Sequence, residues 1–148
     1  MLKDFTLITL ADDDEDDRLL FTDAFDELKI NTVVNTFNNG QLLMDHLNNP
    51  ESVLPHIIFL DLNMPIKNGM ECLAEIKQND RFKDIAIAIY STSSSDEDVE
   101  NTFVLGANVY IKKPSDFNTL KEVLNDVVTV NWQYYTSGLN KDNFLLRL

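Results

Sequence analysis

The chain has 148 residues, of which 44% are hydrophobic and 25% charged, a composition typical of a single globular domain. Its 12 Lys and Arg residues against 25 Asp and Glu residues give a formal net charge of −13. Affinity for nucleic acid or anionic lipid depends on basic residues that neutralise phosphates, so this charge argues against nucleic acid and membrane surfaces as partners.

The sequence also carries signals about the compartment. The single cysteine, Cys72, cannot form an internal disulfide, so nothing indicates an oxidising compartment. The N-terminal apolar run is short, contains Asp4 and ends in acidic residues, which is not the form of a signal peptide. No apolar stretch approaches the ~18 residues that a membrane-spanning helix needs. We therefore expect a cytoplasmic protein.

Apolar runs typical of strands alternate with amphipathic segments typical of helices. In the first helix, for example, Phe21, Ala24, Phe25 and Leu28 recur at helical spacing. In chain order, strands are predicted at residues 6–11, 32–37, 56–60, 85–90 and 109–111. The predicted helices cover residues 14–28, 41–47, a segment that follows Gly69, 96–105 and 116–130.

Five hydrophobic strands, each followed by a helix, predict an α/β fold with a parallel sheet covered on both faces. Right-handed crossovers favour the doubly wound strand order 2-1-3-4-5. We assign residues 1–131 to this one domain. Residues 132–148 have no evident place in the sheet, and we interpret them as an extension of the last helix or a tail, with no output domain.

Polar side chains follow four of the predicted strands. In this fold the carboxyl ends of the strands meet at one edge of the sheet, where ligands bind near the switch point. We therefore expect these side chains to converge. They are Asp12 and Asp13 after the first strand, Asp61 and Asn63 after the third, Ser91 at the end of the fourth, and Lys113 after the fifth.

The run DDDEDD, which starts at Asp12, has two interpretations. By itself such a run is usually a solvated surface or a favourable first turn of a helix. Here Asp12 and Asp13 end a buried strand, where Asp61 also arrives, and carboxylates ~4 Å apart repel by about 4 kcal/mol at an effective dielectric constant of 20. A bound cation offsets that repulsion, and a set of hard oxygen ligands favours Mg²⁺ or Mn²⁺ over zinc. We therefore favour a metal site.

Two further residues fit a phosphate beside such a metal. Lys113 precedes Pro114, and a lone Lys-Pro pair is usually only part of a loop. Opposite an acidic pocket, however, the Lys113 ammonium is able to bridge a carboxylate and a phosphoryl oxygen. Ser91, which by itself is typical of a turn, offers a hydroxyl donor to the same place.

Four segments together resemble the response-regulator receiver domain of two-component signalling, in its stand-alone, chemotaxis-regulator-like form. The resemblance extends over residues 6–130 in one collinear register, and four motifs in the right order and spacing are specific. They are LADDDEDD, HIIFLDLNMPIKNG, IAIAIYSTSS and LGANVYIKKPSDF. The family's fold is the flavodoxin-like (βα)5 arrangement, which agrees with the predicted strand order.

The resemblance implies a role for each candidate residue. Asp61 would be the phosphoacceptor. The Mg²⁺ ligands would be Asp13 directly, Asp12 mostly through water, Asp61, and the backbone carbonyl of Asn63. Lys113 would contact the phosphoryl group, and a cis peptide bond would precede Pro114. Ser91, where threonine is commonest in the family, would form a switch pair with Tyr110, whose ring turns inward behind the moving hydroxyl.

The resemblance also implies partners. A histidine kinase or phosphotransfer protein would supply the phosphoryl group. Because no output domain is expected, a downstream protein would receive the signal at the face formed by the fourth helix, fifth strand and fifth helix. A homodimer is possible on the same face. We expect a signalling domain rather than an enzyme, with at most autophosphorylation from a phosphodonor and self-dephosphorylation.

Three alternatives were weighed. A phosphohydrolase of the haloacid-dehalogenase type needs a second Asp two residues after the first as general acid, and this chain has Asn63 there. A flavin- or nucleotide-binding protein needs a glycine- and hydroxyl-rich cradle after the first strand, where the three acidic residues would repel phosphate. A pseudo-receiver, which binds proteins through an unreactive site, stays open, although every site residue of the family is present.

Overall fold

In the computed structural model, which describes residues 5–129 and 145–146, strands and helices alternate as predicted. The strands are β1 (Thr6–Ala11), β2 (Thr32–Phe37), β3 (Ile57–Leu60), β4 (Ala86–Ser91), β5 (Val109–Lys112) and β6 (Leu145–Leu146). The helices are α1 (Glu15–Glu27), α2 (Gly40–Asn48), α3 (Gly69–Gln78), α4 (Asp96–Val104) and α5 (Phe117–Thr129). Each of the ten predicted elements is present, with bounds that differ by only a few residues.

All the strands pair in parallel in one sheet of order β2-β1-β3-β4-β5-β6. The first five confirm the predicted order 2-1-3-4-5. The sixth strand was not predicted: it pairs with β5, with Leu145 opposite Tyr110 and Leu146 opposite Ile111. The remainder of the predicted extension or tail, residues 132–144 and 147–148, lies outside the described residues, so its nature stays a prediction.

Two hydrophobic layers cover the two faces of the sheet. Successive residues of β3 alternate between them, because side chains along a strand point to opposite faces: Phe59 packs with α1 and α5, while Leu60 packs with α2, α3 and α4. All four residues of β3 are buried. Burial on both faces explains why β3 reads as a continuous apolar run, as the sequence indicated.

Aromatic contacts hold α1 against the sheet. The ring of Phe21 lies edge-on to that of Phe59, with 5.0 Å between the centroids, and edge-on to that of Tyr90, at 5.8 Å. Such edge-to-face pairs contribute about 0.5–1.5 kcal/mol beyond the area that they bury. The N-terminal turn of α1 is thereby fixed beside the carboxyl ends of β1, β3 and β5.

The register of the sheet determines which polar residues meet. Ala11 of β1 lies opposite Leu60 of β3, so Asp12 and Asp61 leave the sheet side by side. Ser91 of β4 lies opposite Lys112 of β5. The predicted convergence at the carboxyl edge therefore follows from two parallel pairings.

Candidate phosphoacceptor and metal site

Three carboxylates meet at the carboxyl edge of the sheet. Oxygen atoms of Asp12, Asp13 and Asp61 all lie within 4.8 Å of one another. Asp12 is fully buried, Asp61 is 5% exposed, and Asp13 faces solvent. Two of the carboxylates are thus buried and the third faces solvent, and we call this cluster the acidic pocket.

Backbone hydrogen bonds hold the two buried carboxylates in place. The backbone N–H of Asp14 donates to Asp12 Oδ1 at 3.0 Å. The backbone N–H of Asp61 donates to the carbonyl of Ala11 at 3.0 Å, and the N–H of Asn63 donates to Asp61 Oδ1 at 3.3 Å. Each carboxylate therefore keeps its second oxygen for other partners.

Gly69 allows α3 to begin against the backbone of Asp61 and Leu62, directly after β3. A Cβ atom at this position would lie 2.1 Å from the carbonyl oxygen of Asp61 and 2.8 Å from Cα of Leu62. The N–H of Gly69 donates to the carbonyl of Leu62 at 3.0 Å, which closes the loop. Only glycine permits this close approach, so Gly69 supports the position of Asp61.

Lys113 reaches the pocket from the end of β5. Its Nζ lies 2.8 Å from Asp12 Oδ2 and 3.6 Å from Asp61 Oδ2. The side chain is only 9% exposed, and its ammonium lies 5.3 Å from the centre of the Tyr90 ring. One buried cation thus lies beside two buried carboxylates, at the edge of the sheet where the sequence predicted that these residues would converge.

Burial dominates the electrostatics of the pocket. It raises the pKa of Asp61 to about 6; the charge of Lys113 opposes this shift, and that of Asp12 adds to it. Burial likewise raises the pKa of Asp12 against the contact with Lys113. For Lys113, burial favours the neutral amine, but the contacts with Asp12 and Asp17 outweigh it and raise the pKa. Burial thus penalises the charged form of both carboxylates, and the one ammonium offsets this penalty only in part.

The donor set fits Mg²⁺. All three side chains of the cluster offer hard carboxylate oxygens. Among the described residues, Asp12 Oδ2 accepts no well-aligned hydrogen bond, although it lies in contact with the Lys113 ammonium. Asn63, whose carbonyl was predicted as a further ligand, follows Asp61 in the same loop and is exposed. A buried oxygen without an aligned donor, beside two more carboxylates, suits a small divalent cation.

The predicted switch residues lie behind the pocket. Ser91 is fully buried, and its Oγ accepts a hydrogen bond from the N–H of Ser93 at 3.2 Å. The ring of Tyr110 points inward and is fully buried, and its hydroxyl donates to the carbonyl of Ser93 at 2.7 Å. Ser91 and Tyr110 therefore meet on the loop between β4 and α4.

The prediction of a cis peptide bond before Pro114 is wrong. No peptide bond among the described residues is cis, so the Lys113–Pro114 bond is trans. The trans isomer is the more stable form of an X–Pro bond by about 0.5–1 kcal/mol.

Asp17 belongs to the pocket and was not predicted. Its Oδ2 accepts a hydrogen bond from Lys113 Nζ at 2.8 Å. No role was predicted for the later acidic residues of the run, of which Asp14 caps α1. The signal was available: Asp17 precedes Phe21 by one turn, which places it on the buried face of the helix.

The match to protein-family models settles the family. The model described as the response regulator receiver domain matches residues 8–125. The chain is a receiver domain. Members of this family are signalling domains of two-component systems, which accept a phosphoryl group from histidine kinases and relay the signal to partner proteins.

Two proteins are similar to this chain in sequence. The chain is 29% identical over 124 residues to the probable methanogenesis regulatory protein FilR2 of Methanothrix harundinacea, covering 82% of this chain and 80% of that protein. Over 73 residues it is 38% identical to the response regulator Rcp1 of Synechocystis, covering 49% of this chain and 50% of Rcp1.

Two solved structures are also similar. The Mn²⁺-bound form of Rcp1 has a TM-score of 0.77 and 30% identity, covering 84% of this chain and 92% of that chain. The phosphorylated cyanobacterial phytochrome response regulator RcpA has a TM-score of 0.77 and 30% identity, covering 83% and 91%. Within the described part of the receiver domain, no helix combines the length and apolar character needed to cross a bilayer.

Proposed function

We propose that this receiver domain accepts a phosphoryl group on Asp61 in a Mg²⁺-dependent reaction and relays the signal through contacts of α4, β5 and α5. One observation carries the proposal: the carboxylates of Asp12, Asp13 and Asp61 converge within 4.8 Å, beside the ammonium of Lys113. The Mn²⁺-bound structure of Rcp1 and the phosphorylated structure of RcpA support it by similarity.

In the proposed reaction, an oxygen of Asp61 attacks the phosphorus atom of the donor. The new bond joins Asp61 Oδ to phosphorus, while the bond from phosphorus to the leaving group breaks and the leaving group keeps the electron pair. Mg²⁺, held by Asp13, Asp12, Asp61 and the carbonyl of Asn63, would neutralise charge on the transferring phosphoryl group. Lys113 and the hydroxyl of Ser91 would donate hydrogen bonds to its oxygens.

The proposed relay uses the loop between β4 and α4. Ser93 connects both switch residues to α4: its N–H donates to Ser91 Oγ, its carbonyl accepts from Tyr110, and its hydroxyl donates to Asp98 Oδ2 at 3.0 Å. Movement of the Ser91 hydroxyl to a phosphoryl oxygen would break the first of these bonds. The loop and the first turn of α4 are therefore the elements that phosphorylation would bias.

The partners follow from this relay. A histidine kinase or phosphotransfer protein would donate the phosphoryl group, and a downstream protein or a second copy of the chain would bind the face of α4, β5 and α5. A net charge of −13 makes nucleic acid a poor direct partner. The cytoplasmic location stays a prediction from the sequence.

Labelling with a small phosphodonor tests the proposal. Acetyl phosphate with Mg²⁺ is expected to add one phosphoryl group to the wild type, measured by intact mass, and excess EDTA is expected to prevent the addition. Asp61→Asn removes the nucleophilic oxygen and is expected to stay unlabelled. Asp13→Asn is expected to lose most of the labelling rate, because it removes a metal ligand.

Asp16→Asn is the matched control, since Asp16 is an exposed acid of the same run. It is expected to be labelled like the wild type. Normal labelling of Asp61→Asn would disprove the assignment of the phosphoacceptor. A wild type that takes no label with Mg²⁺ would support the pseudo-receiver alternative instead.

A further inference from the structure

We infer that Asp17 is a positioning residue that restrains Lys113 in the unphosphorylated protein and so slows phosphorylation of Asp61. The inference rests on the proposed function. Lys113 Nζ donates its aligned hydrogen bond to Asp17 Oδ2 at 2.8 Å, while Asp61 Oδ2 lies 0.8 Å farther away, at 3.6 Å. The ammonium that should meet the phosphoryl group is therefore turned toward a carboxylate on another element.

The position of Asp17 is well determined by its helix. It occupies the third position of α1, after the capping residue Asp14, and its own N–H donates to Asp14 Oδ1 at 3.0 Å. One turn later, Phe21 is fully buried between Phe59 and Tyr90. Because the helix is anchored there, Asp17 has little freedom to follow Lys113 if the lysine moves.

The restraint acts because Asp17 and the incoming phosphoryl group compete for the Lys113 ammonium. An ammonium has three donors, and two of its close contacts here are Asp12 and Asp17, both at 2.8 Å. Asp12 is fully buried, whereas Asp17 is about a third exposed and keeps part of its hydration. Loss of the Lys113 contact therefore destabilises the Asp12 carboxylate more than the Asp17 carboxylate. The contact with Asp17 is therefore the one that Lys113 exchanges for an oxygen of the incoming phosphoryl group.

The transfer itself is unchanged by this exchange. Asp61 Oδ bonds to phosphorus, the bond to the acetate oxygen of acetyl phosphate breaks, and acetate leaves with the electron pair. What changes is the cost of bringing the Lys113 ammonium to the phosphoryl oxygens. Removing the charge of Asp17 leaves at most a weaker, neutral acceptor for Lys113 in place of a charge-assisted hydrogen bond, and the reaction is expected to become faster.

The test compares initial rates of labelling by acetyl phosphate with Mg²⁺ for Asp17→Asn, Asp17→Glu and Asp16→Asn. Asp17→Asn is expected to be about threefold to tenfold faster than the wild type, the range for loss of a partly exposed charged hydrogen bond. Asp16→Asn removes the same charge from the adjacent exposed position and is expected to change the rate less than twofold. Asp17→Glu keeps the charge, so it is expected to retain most of the restraint and to be labelled at a rate close to that of the wild type.

A second measurement reports on Lys113 directly. In ¹⁵N-lysine spectra without phosphodonor, the side-chain ammonium signal of Lys113, assigned with Lys113→Arg, is expected to shift and exchange faster with water in Asp17→Asn. It is expected to stay unchanged in Asp16→Asn. A purely structural role for Asp17 in α1 would change neither this signal nor the order of the rates.

The outcomes separate the inference from the proposed function. A labelled wild type together with equal rates for Asp17→Asn and Asp16→Asn overturns the restraint alone. A slower Asp17→Asn also overturns it, because Asp17 would then assist Lys113. A wild type that takes no label overturns the proposed function, and the restraint with it.

Discussion

At the scale of single residues, the pocket holds several charged side chains that are largely shielded from solvent. Asp12 is fully buried and Asp61 nearly so, and the Lys113 ammonium compensates only part of their charge. Taking a carboxylate out of water costs several kcal/mol unless a partner replaces the lost hydration. The unpaired remainder of the charge makes the metal-free pocket a source of instability that a cation would relieve.

This instability should depend on pH in the metal-free protein. Burial raises the pKa of Asp61 from 3.8 to about 6, so the folded state binds a proton more tightly than the unfolded chain does. The resulting stabilisation is present below pH 4 and is lost as the pH rises through about 6. A shift of this size corresponds to about 3 kcal/mol at most.

Urea unfolding in EDTA between pH 4 and 7 tests the expected decline. Asp61→Asn, which has no carboxylate to titrate, is expected to show a flatter profile and to exceed the wild type in stability at pH 7. The exposed Asp16→Asn control should follow the wild type. Parallel profiles for wild type and Asp61→Asn would contradict the assigned cause.

At the scale of elements, the loop between β4 and α4 connects the pocket to the surface. Ser95 caps α4 by accepting from the N–H of Asp98, and Asp98 in turn accepts from the hydroxyl of Ser93. The cap of α4 and the hydrogen bonds of Ser91 and Tyr110 therefore share Ser93. A change at Ser91 is transmitted to the first turn of α4 through these short-range contacts.

Hydrogen exchange should detect this transmission. Binding of beryllofluoride, a phosphoryl mimic, to Asp61 is expected to change exchange in residues 91–105 and in β5, because the Ser91 hydroxyl would leave the N–H of Ser93. Ser91→Ala, which has no hydroxyl to move, is expected to lose most of that change. The mimic on Asp61→Asn serves as the control without binding.

Two results would count against the proposed output face. One is a response limited to the loops that carry Asp13 and Asp61. The other is an undiminished response of α4 in Ser91→Ala, which would mean that the signal leaves the pocket by another path.

At the scale of the whole molecule, binding and folding are coupled. The three carboxylates follow β1 and β3, two strands that are far apart in the chain and pair only in the folded sheet. A cation that binds this cluster therefore binds the folded state and not the unfolded chain. Under this condition the ligand raises the free energy of unfolding by mass action.

Saturating Mg²⁺ is accordingly expected to raise the stability of the wild type by ~2.7 kcal/mol at one hundred times its Kd. Asp13→Asn is expected to lose most of this gain and, without metal, to be more stable than the wild type because repulsion is relieved. Thermal melts with EDTA and with increasing Mg²⁺ measure both effects. Asp16→Asn should show the same increase in melting temperature with Mg²⁺ as the wild type. A wild-type melting temperature that does not change with Mg²⁺ would refute the metal site.

Much of this protein is determined by local patterns in its sequence. The alternation of apolar runs and helical periodicity was enough to predict five strands in a parallel sheet, because burial on both faces makes central strands such as β3 and β4 largely hydrophobic. The order of the strands was predicted from the preference for right-handed crossovers. Parallel strands deliver their carboxyl ends to one edge, so Asp12, Asp61, Ser91 and Lys113 were expected to meet there.

The tertiary structure alone decided the remaining contacts. The bond between Lys113 and Asp17 joins residues 96 positions apart, and it exists because the packing of Phe21 sets how α1 lies on the sheet. Likewise, β6 pairs with β5 only because the edge of that strand is open to it. Periodicity reports which face of an element is buried, whereas distances between side chains of different elements depend on how those elements pack.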